Sequence, residues 1–429
     1  MDAEGNYLLV DGTGAELGKG EAKLVLAGEA LEVRPRTGPY RLVPLRDIAA
    51  IASANYQIDI VMRDGRRLRL SMLGRRYDDL VRELHAARNE IIMRDLLMSE
   101  KLRRPGTKGE LRPFRGADGP VEVRMYDTAL VLLPLRHSLA RIRYSDIEGI
   151  EVRDYVLRIV LRSGELIALT MLGREMEPLW RALSDVLAEQ AEEAHAVVKA
   201  AYPQADGELV EAASRLLLEG RAARRSEIED LSPALWRGLE QEVAARGLAA
   251  EYAFLTSKGR GNLVRIGLKR SLTADDTYVW FMVPILGPGG NAVAVEATSS
   301  AGTGRATYFF RIAPRTLYPS MDEETREDAA ERTMDILTAG LREINFRRQP
   351  IYLTEEQLRV EPWSRYRFPV LLIPELRELR ARFIGRVAHT SEEEWKAKVD
   401  ELLAFNASAR DDGARWTSGE EVEDEGGES

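Results

Sequence analysis

The chain has 429 residues, too many for one hydrophobic core, and at roughly 100 to 200 residues per domain it divides into about three. Its 61 Lys and Arg against 70 Asp and Glu leave a net charge of −9, which argues against a nucleic-acid partner because phosphate neutralisation needs a surplus of cations on one face. There is no cysteine and there are four dispersed histidines, so disulfides, thiolate metal sites and cysteine nucleophiles are excluded, and no transition metal or other cofactor is expected.

The chain opens on Met1-Asp2-Ala3-Glu4, with no basic and apolar leader, and no apolar run approaches the ~18 residues that cross a bilayer. A cytoplasmic protein is expected. Short strands are predicted at Ala22–Leu26, Ala30–Pro35, Tyr40–Leu45, Ile48–Ala52, Tyr56–Met62 and Arg67–Met72, with Arg63-Asp64-Gly65-Arg66 as a hairpin turn. Tyr77, Leu80, Val81 and Leu84 then share one face of a helix that continues to about Leu97.

This pattern is written twice. Asp47-Ile48 and Asp146-Ile147, Gly65 and Gly164, and Leu73-Gly74-Arg75 and Leu172-Gly173-Arg174 all stand 99 residues apart (146 − 47), which is one folding unit made twice. The second helix repeats the apolar face with Met176, Leu179, Trp180 and Leu183. Residues 1–100 and 119–203 are therefore read as two domains. The Pro- and Gly-containing stretch 101–118, rich in Lys and Arg, is read as a basic linker.

Beyond Tyr202-Pro203 the pattern changes. Helices are predicted over Leu209–Leu218 and from the Ser232 cap with Pro233, then strands at Tyr252–Leu255, Leu263–Leu268, Tyr278–Ile285, Ala292–Ala297 and Ala306–Ile312. A helix follows from a capping box at Ser320 and Glu323, which completes an α+β domain over 204–348. Residues 349–405 are read as a helical region with helices at Glu375–Ile384 and Glu392–Phe405, and 406–429 as a disordered acidic tail.

Val43-Pro44-Leu45-Arg46-Asp47-Ile48 with Arg63-Asp64-Gly65, and Ile142-Arg143-Tyr144-Ser145-Asp146-Ile147 with Arg162-Ser163-Gly164, belong to meanders of short strands, each closed by one amphipathic helix. In this the first 200 residues resemble the pleckstrin-homology-like (PH-like) fold, including its bacterial and GRAM variants. The resemblance implies two antiparallel β-barrels with C-terminal helices and a mostly non-catalytic role in binding headgroups, peptides or proteins. Lipid-binding members carry a basic cluster in the first strand-turn-strand, and here Ala27-Gly28-Glu29 has none.

No catalytic motif stands out. His85 and His195 fall on the charged faces of predicted helices, and Ser391 beside His389 has capping-box spacing to Glu394, which accounts for it without nucleophilic chemistry. Gly259-Arg260-Gly261-Asn262 and Gly302-Thr303-Gly304 are read as turns between strands, whereas a phosphate loop would open a helix. The candidate contacts for an anion or partner are Arg63, Arg66, Arg67, Arg103, Arg104, Lys258, Arg260 and Arg305. The leading expectation is a non-enzymatic interaction scaffold that binds a protein. Its alternatives are an adaptor on anionic membranes using the Arg63 and linker clusters, and a nucleotide- or phosphate-binding enzyme in 204–348.

Overall fold

A computed structural model describes residues 1–97, 100–270, 277–287, 289–298 and 306–417. The chain is α+β, with antiparallel sheets of seven, seven and six strands. It divides into one compact unit of Met1–Leu187 with Thr354–Leu372 and another of Ala188–Leu353 with Ile373–Ser429.

In the first unit, β1 (Asp2–Val10), β2 (Glu16–Ala27), β3 (Ala30–Pro35), β4 (Arg41–Pro44), β5 (Ile48–Ala54), β6 (Gln57–Met62) and β7 (Arg67–Ser71) lie in the order β4-β3-β2-β1-β7-β6-β5 and lead into helix α1 (Tyr77–Leu97). The second copy has β8 (Leu102–Phe114), β9 (Ala117–Tyr126), β10 (Ala129–Pro134), β11 (Ala140–Arg143), β12 (Ile147–Arg153), β13 (Val156–Leu161) and β14 (Leu166–Thr170) in the order β11-β10-β9-β8-β14-β13-β12. Helix α2 (Met176–Ala201) follows. The connectivity is the same in both. Alternation sets the strand faces: Ile58, Ile60 and Met62 are buried while Gln57, Asp59 and Val61 are half-exposed. Gly65 and Gly164, both at φ +84°, occupy the left-handed corner of matching hairpins.

The stretch expected to be a basic linker is instead strand β8, paired with β9 on one side and β14 on the other. Thr107, Leu111 and Phe114 face inward, and the cations stand between them. Pro105 and Gly106 fall where the pairing with β9 slips between Arg104 and Thr107, so they mark a bulge rather than a break in the fold. The first strand of each copy escapes the constant spacing. Asn6 pairs with Ser71 and Glu110 with Thr170, an offset of 104 (110 − 6), so the first hairpin is five residues shorter in the second copy.

Helix α1 is buried around much of its circumference. Asn89 donates to the His137 carbonyl (2.9 Å) and accepts from the Leu139 amide (3.0 Å), while Arg124 of the second copy reaches Glu90 at 3.0 Å. His85, expected on a charged face, is therefore 2% exposed. Burial, then the charge of Arg88, pushes its pKa down to about 4.

The second unit runs α3 (Gly207–Leu217), β15 (Ala223–Arg224), α4 (Arg225–Leu231), α5 (Pro233–Ala245), α6 (Ala249–Lys258), β16 (Arg265–Arg270), β17 (Thr277–Ile285), β18 (Ala292–Thr298), β19 (Ala306–Arg311), α7 (Glu323–Glu343) and α8 (Gln349–Tyr352). The chain next contributes α9 (Arg367–Leu372) to the first unit, then returns with α10 (Pro374–Arg382), β20 (Phe383–Ala388) and α11 (Glu392–Ser408). The six strands are ordered as in the chain, β15 to β20. One sheet face, with Val279, Phe281, Val283, Ala294 and Phe309, shares a core with α3, α4, α5, α6 and α11. The alternate residues, among them Val295 and Phe310, face Leu341 of α7 and Ile351 of α8.

Several local expectations are corrected here. Tyr252–Leu255 is not a strand but part of α6, because Tyr252 and Leu255 sit three apart on one helix face and pack into the core under Phe281. Gly259 consequently ends a helix rather than joining two strands. Asp322, not Ser320, caps α7, accepting from the Thr325 amide at 2.8 Å. The region 349–405 is not one helical layer: Thr354–Leu372 belongs to the first unit, and Phe383–Ala388 adds an edge strand against β19. Nor is 406–417 a tail, since Asn406 is 1% exposed and Trp416 is buried with its amide on the Ile384 carbonyl at 2.7 Å. The acidic run from Gly419 lies outside the described residues, as do Arg305 and the Gly302–Gly304 turn.

Candidate functional site

Among the described residues, most of the cations singled out in the sequence are paired with acids of their own unit. Arg66 bonds Asp64 at 2.7 Å, two residues away, and Arg67 is exposed at the start of β7. Arg103 faces Asp127 at 3.4 Å and Arg104 faces Glu175 at 2.9 Å. In the second unit Lys258 pairs with Asp400 of α11 at 2.7 Å, and Arg260 with Glu327 of α7 at 2.7 Å as well as with Glu323. Arg265 likewise meets Asp335 at 2.5 Å. Lys258, Arg260 and Arg265 are thus each paired with an acid from a flanking helix.

Arg63 is different, because it holds a separate segment of the chain through two contacts. Its Nη2 donates to Glu355 at 2.9 Å and its Nη1 to the Arg367 carbonyl at 3.3 Å. Arg367 returns the contact by pairing with Asp47, which sits in the single helical turn Leu45–Asp47 ahead of β5. Beside them Arg88 of α1 stands over the Phe368 ring, 5.4 Å from its centroid, and donates to the Ile48 carbonyl at 2.9 Å and the Ala49 carbonyl at 3.2 Å. Arg88 and Phe368 are both fully buried. Burial alone pushes the Arg88 guanidinium down to about 10, so it stays charged at neutral pH. The segment 354–372 is therefore held on the first copy by a reciprocal acid and base pairing around a buried aromatic residue.

The segment's own sequence prepares it for this. Thr354 and Gln357 bond each other's amides reciprocally, at 2.8 and 3.2 Å, which starts a tight turn, and Trp363 stacks on Tyr366 at 6.0 Å. The sequence marks 363–374 as a packed aromatic and proline-rich connection, but nothing in it names the surface it packs on.

A second cluster, missed in the sequence, surrounds His389. Its Nδ1 lies 3.1 Å from Glu251 of α6 and its Nε2 lies 3.0 Å from Glu296 of β18, whose side chain is fully buried. Thr307 donates to Glu296 at 2.6 Å and accepts from the Trp395 indole at 3.0 Å. Burial disfavours the charged ring, but hydrogen bonds to Glu251 and Glu296 and their charges outweigh it and raise the pKa to about 9. Both nitrogens then carry protons and donate, which leaves no lone pair to act as a general base. The cluster is an internal ion staple joining α6, β18 and the β20–α11 connection. Ser391 meanwhile caps α11, accepting from the Glu394 amide at 3.3 Å, as its spacing predicts.

No protein-family model matches the chain, and no curated protein matches it in sequence.

Proposed function

We propose that this chain is a non-enzymatic interaction protein whose two PH-like units hold polypeptide segments on the surface between the turn before the fifth strand and the closing helix. The observation that carries the reading is the seating of Thr354–Leu372 on the first copy through Asp47, Arg63 and Arg88. That surface already holds a peptide of this chain.

In the second copy the same positions are Asp146, Arg162 and Leu187, at the constant spacing of 99. The acid and the base are kept, and the cation that faces Phe368 becomes apolar. Asp146 bonds Arg143 at 3.0 Å with its side chain 40% exposed. Val81 of α1 is 1% exposed, whereas its counterpart Trp180 is 37% exposed. The exposed Trp180 and the part-exposed Asp146 of the second copy favour a partner segment with an apolar side chain and a neighbouring cation, as Arg367-Phe368 supplies on the first copy.

The test is affinity purification of the intact protein from its own cells, wild type against the double variant Asp146→Arg with Trp180→Ala. A protein captured by the wild type and lost from the double variant, but kept by Arg174→Ala on an exposed turn, supports the reading. Capture of no protein, or equal capture by the double variant, overturns it.

A further inference from the structure

In the second unit, aromatic rings of β19, α8 and β20 carry a set of arginines. Tyr308 lies 6.4 Å from Tyr352 and 6.3 Å from Phe383, ring centre to ring centre. A guanidinium stands over each ring: Arg348 over Tyr308 at 5.4 Å, Arg386 over Tyr352 at 4.3 Å and Arg415 over Phe383 at 5.6 Å. Arg415 also donates to the carbonyls of Tyr352 (3.3 Å) and Arg380 (3.2 Å). Arg415 is exposed, and Arg348 and Arg386 are half-buried. Arg382 pairs with Glu378 at 3.6 Å, but among the described residues no carboxylate pairs with Arg348 or Arg415.

Aromatic faces and carbonyls orient a guanidinium without cancelling its charge, so this patch keeps a positive potential that the paired Lys258, Arg260 and Arg265 do not. The chain carries a complementary segment close by. Trp416 is buried with its amide on the Ile384 carbonyl at 2.7 Å, and Ile384 stands two residues before Arg386 in β20. Glu420, Glu421, Glu423, Asp424 and Glu425 then follow, with no Lys or Arg beyond Arg415. Glu420 is four residues past Trp416, at most about 14 Å of extended chain, so the acids reach the rings that bear the arginines. We propose that this patch binds an acidic polypeptide segment and that the chain's own run at 420–425 is that segment, its carboxylates on Arg348 and Arg415. A run of carboxylates suits guanidiniums held on separate rings, whereas a single small anion engages fewer of them.

The patch lies in the second unit, so this reading and the peptide-holding surface of the first can fail separately. The probe is a fluorescein-labelled peptide of residues 418–429, followed by anisotropy as it is titrated with the full chain. In a neutralised chain Glu420→Gln, Glu421→Gln, Glu423→Gln, Asp424→Asn and Glu425→Gln remove the run's charge without shortening the protein. That chain should bind the peptide saturably at 1:1, and raising salt from about 0.05 M to about 0.5 M should weaken the binding at least about tenfold. The wild type should bind at least about tenfold more weakly than the neutralised chain, because a tethered run competes at an effective concentration on the order of millimolar. Adding Arg348→Gln and Arg415→Gln to the neutralised chain should likewise weaken binding at least about tenfold. The salt and wild-type comparisons leave the patch intact, so they decide the matter even if the arginine variant fails to fold. Absence of saturable binding to the neutralised chain, equal binding by the wild type, or binding that ignores salt or the loss of both arginines would overturn the proposal.

Discussion

Replacing His389 by Gln removes the cation from the pair Glu251 and Glu296 and leaves the fully buried Glu296 without a counter-charge. The folded pKa of His389 is about 9, against an ordinary value of 6.5. At about 1.4 kcal/mol per pKa unit this is worth about 3 kcal/mol. Because the folded value is raised, the stabilisation is complete below about pH 6.5 and is lost as pH rises through about 9, leaving about 2 kcal/mol at pH 7.5. Urea unfolding of wild type and His389→Gln between pH 6 and 10 reads the difference directly. The gap should be about 3 kcal/mol at pH 6.5 and shrink to under about 1 kcal/mol at pH 10. A gap that stays constant across this range, or an NMR titration of His389 with its midpoint at or below the ordinary histidine value, would refute the staple.

Arg367→Glu places a carboxylate against Asp47 and should free the docked segment. Hydrogen exchange across 354–372 is expected to quicken by roughly tenfold or more, with recovery in the charge-swapped Asp47→Arg, Arg367→Asp double variant. Leu111→Asp, which buries a carboxylate in the core of the second copy, should cost about 3 kcal/mol or more in chemical denaturation, whereas Lys108→Ala on the same strand should stay within about 0.5 kcal/mol. Equal effects of the two would contradict the inward face of β8. Since Arg63, Arg66, Arg103 and Arg104 are each spent on a carboxylate, sedimentation with anionic liposomes at physiological salt should be negligible and unchanged by reversing Arg63, Arg66 and Arg67 to Glu. Strong, salt-sensitive binding lost in that triple variant would favour the membrane adaptor instead.

Much of the molecule was legible in the sequence because it rests on neighbours along the chain. Alternation at Ile58, Ile60 and Met62, the glycine corners at Gly65 and Gly164, and the caps at Ser232 and Ser391 are local matters of backbone geometry and one hydrogen bond each. The internal repeat needed only an unbroken spacing, and it failed where the first hairpin was shortened and β8 fell out of step. There Pro105 and Gly106 carry the usual signs of a linker, and only pairing with β9 and β14 makes them a bulge. Charge was read least well. A run of arginines looks the same whether it faces water, a phosphate or a carboxylate brought from far along the chain. Arg63 finds Glu355, Lys258 finds Asp400, and His389 finds Glu251 and Glu296, across separations that no local pattern encodes. The sequence by itself determined the two repeated units, their strands after the first, and the helix caps at Ser232 and Ser391, through periodicity and turn chemistry. Only the tertiary structure decided that Thr354–Leu372 lies on the first unit and that β20 joins the third sheet, because these depend on which distant surfaces exclude water from one another.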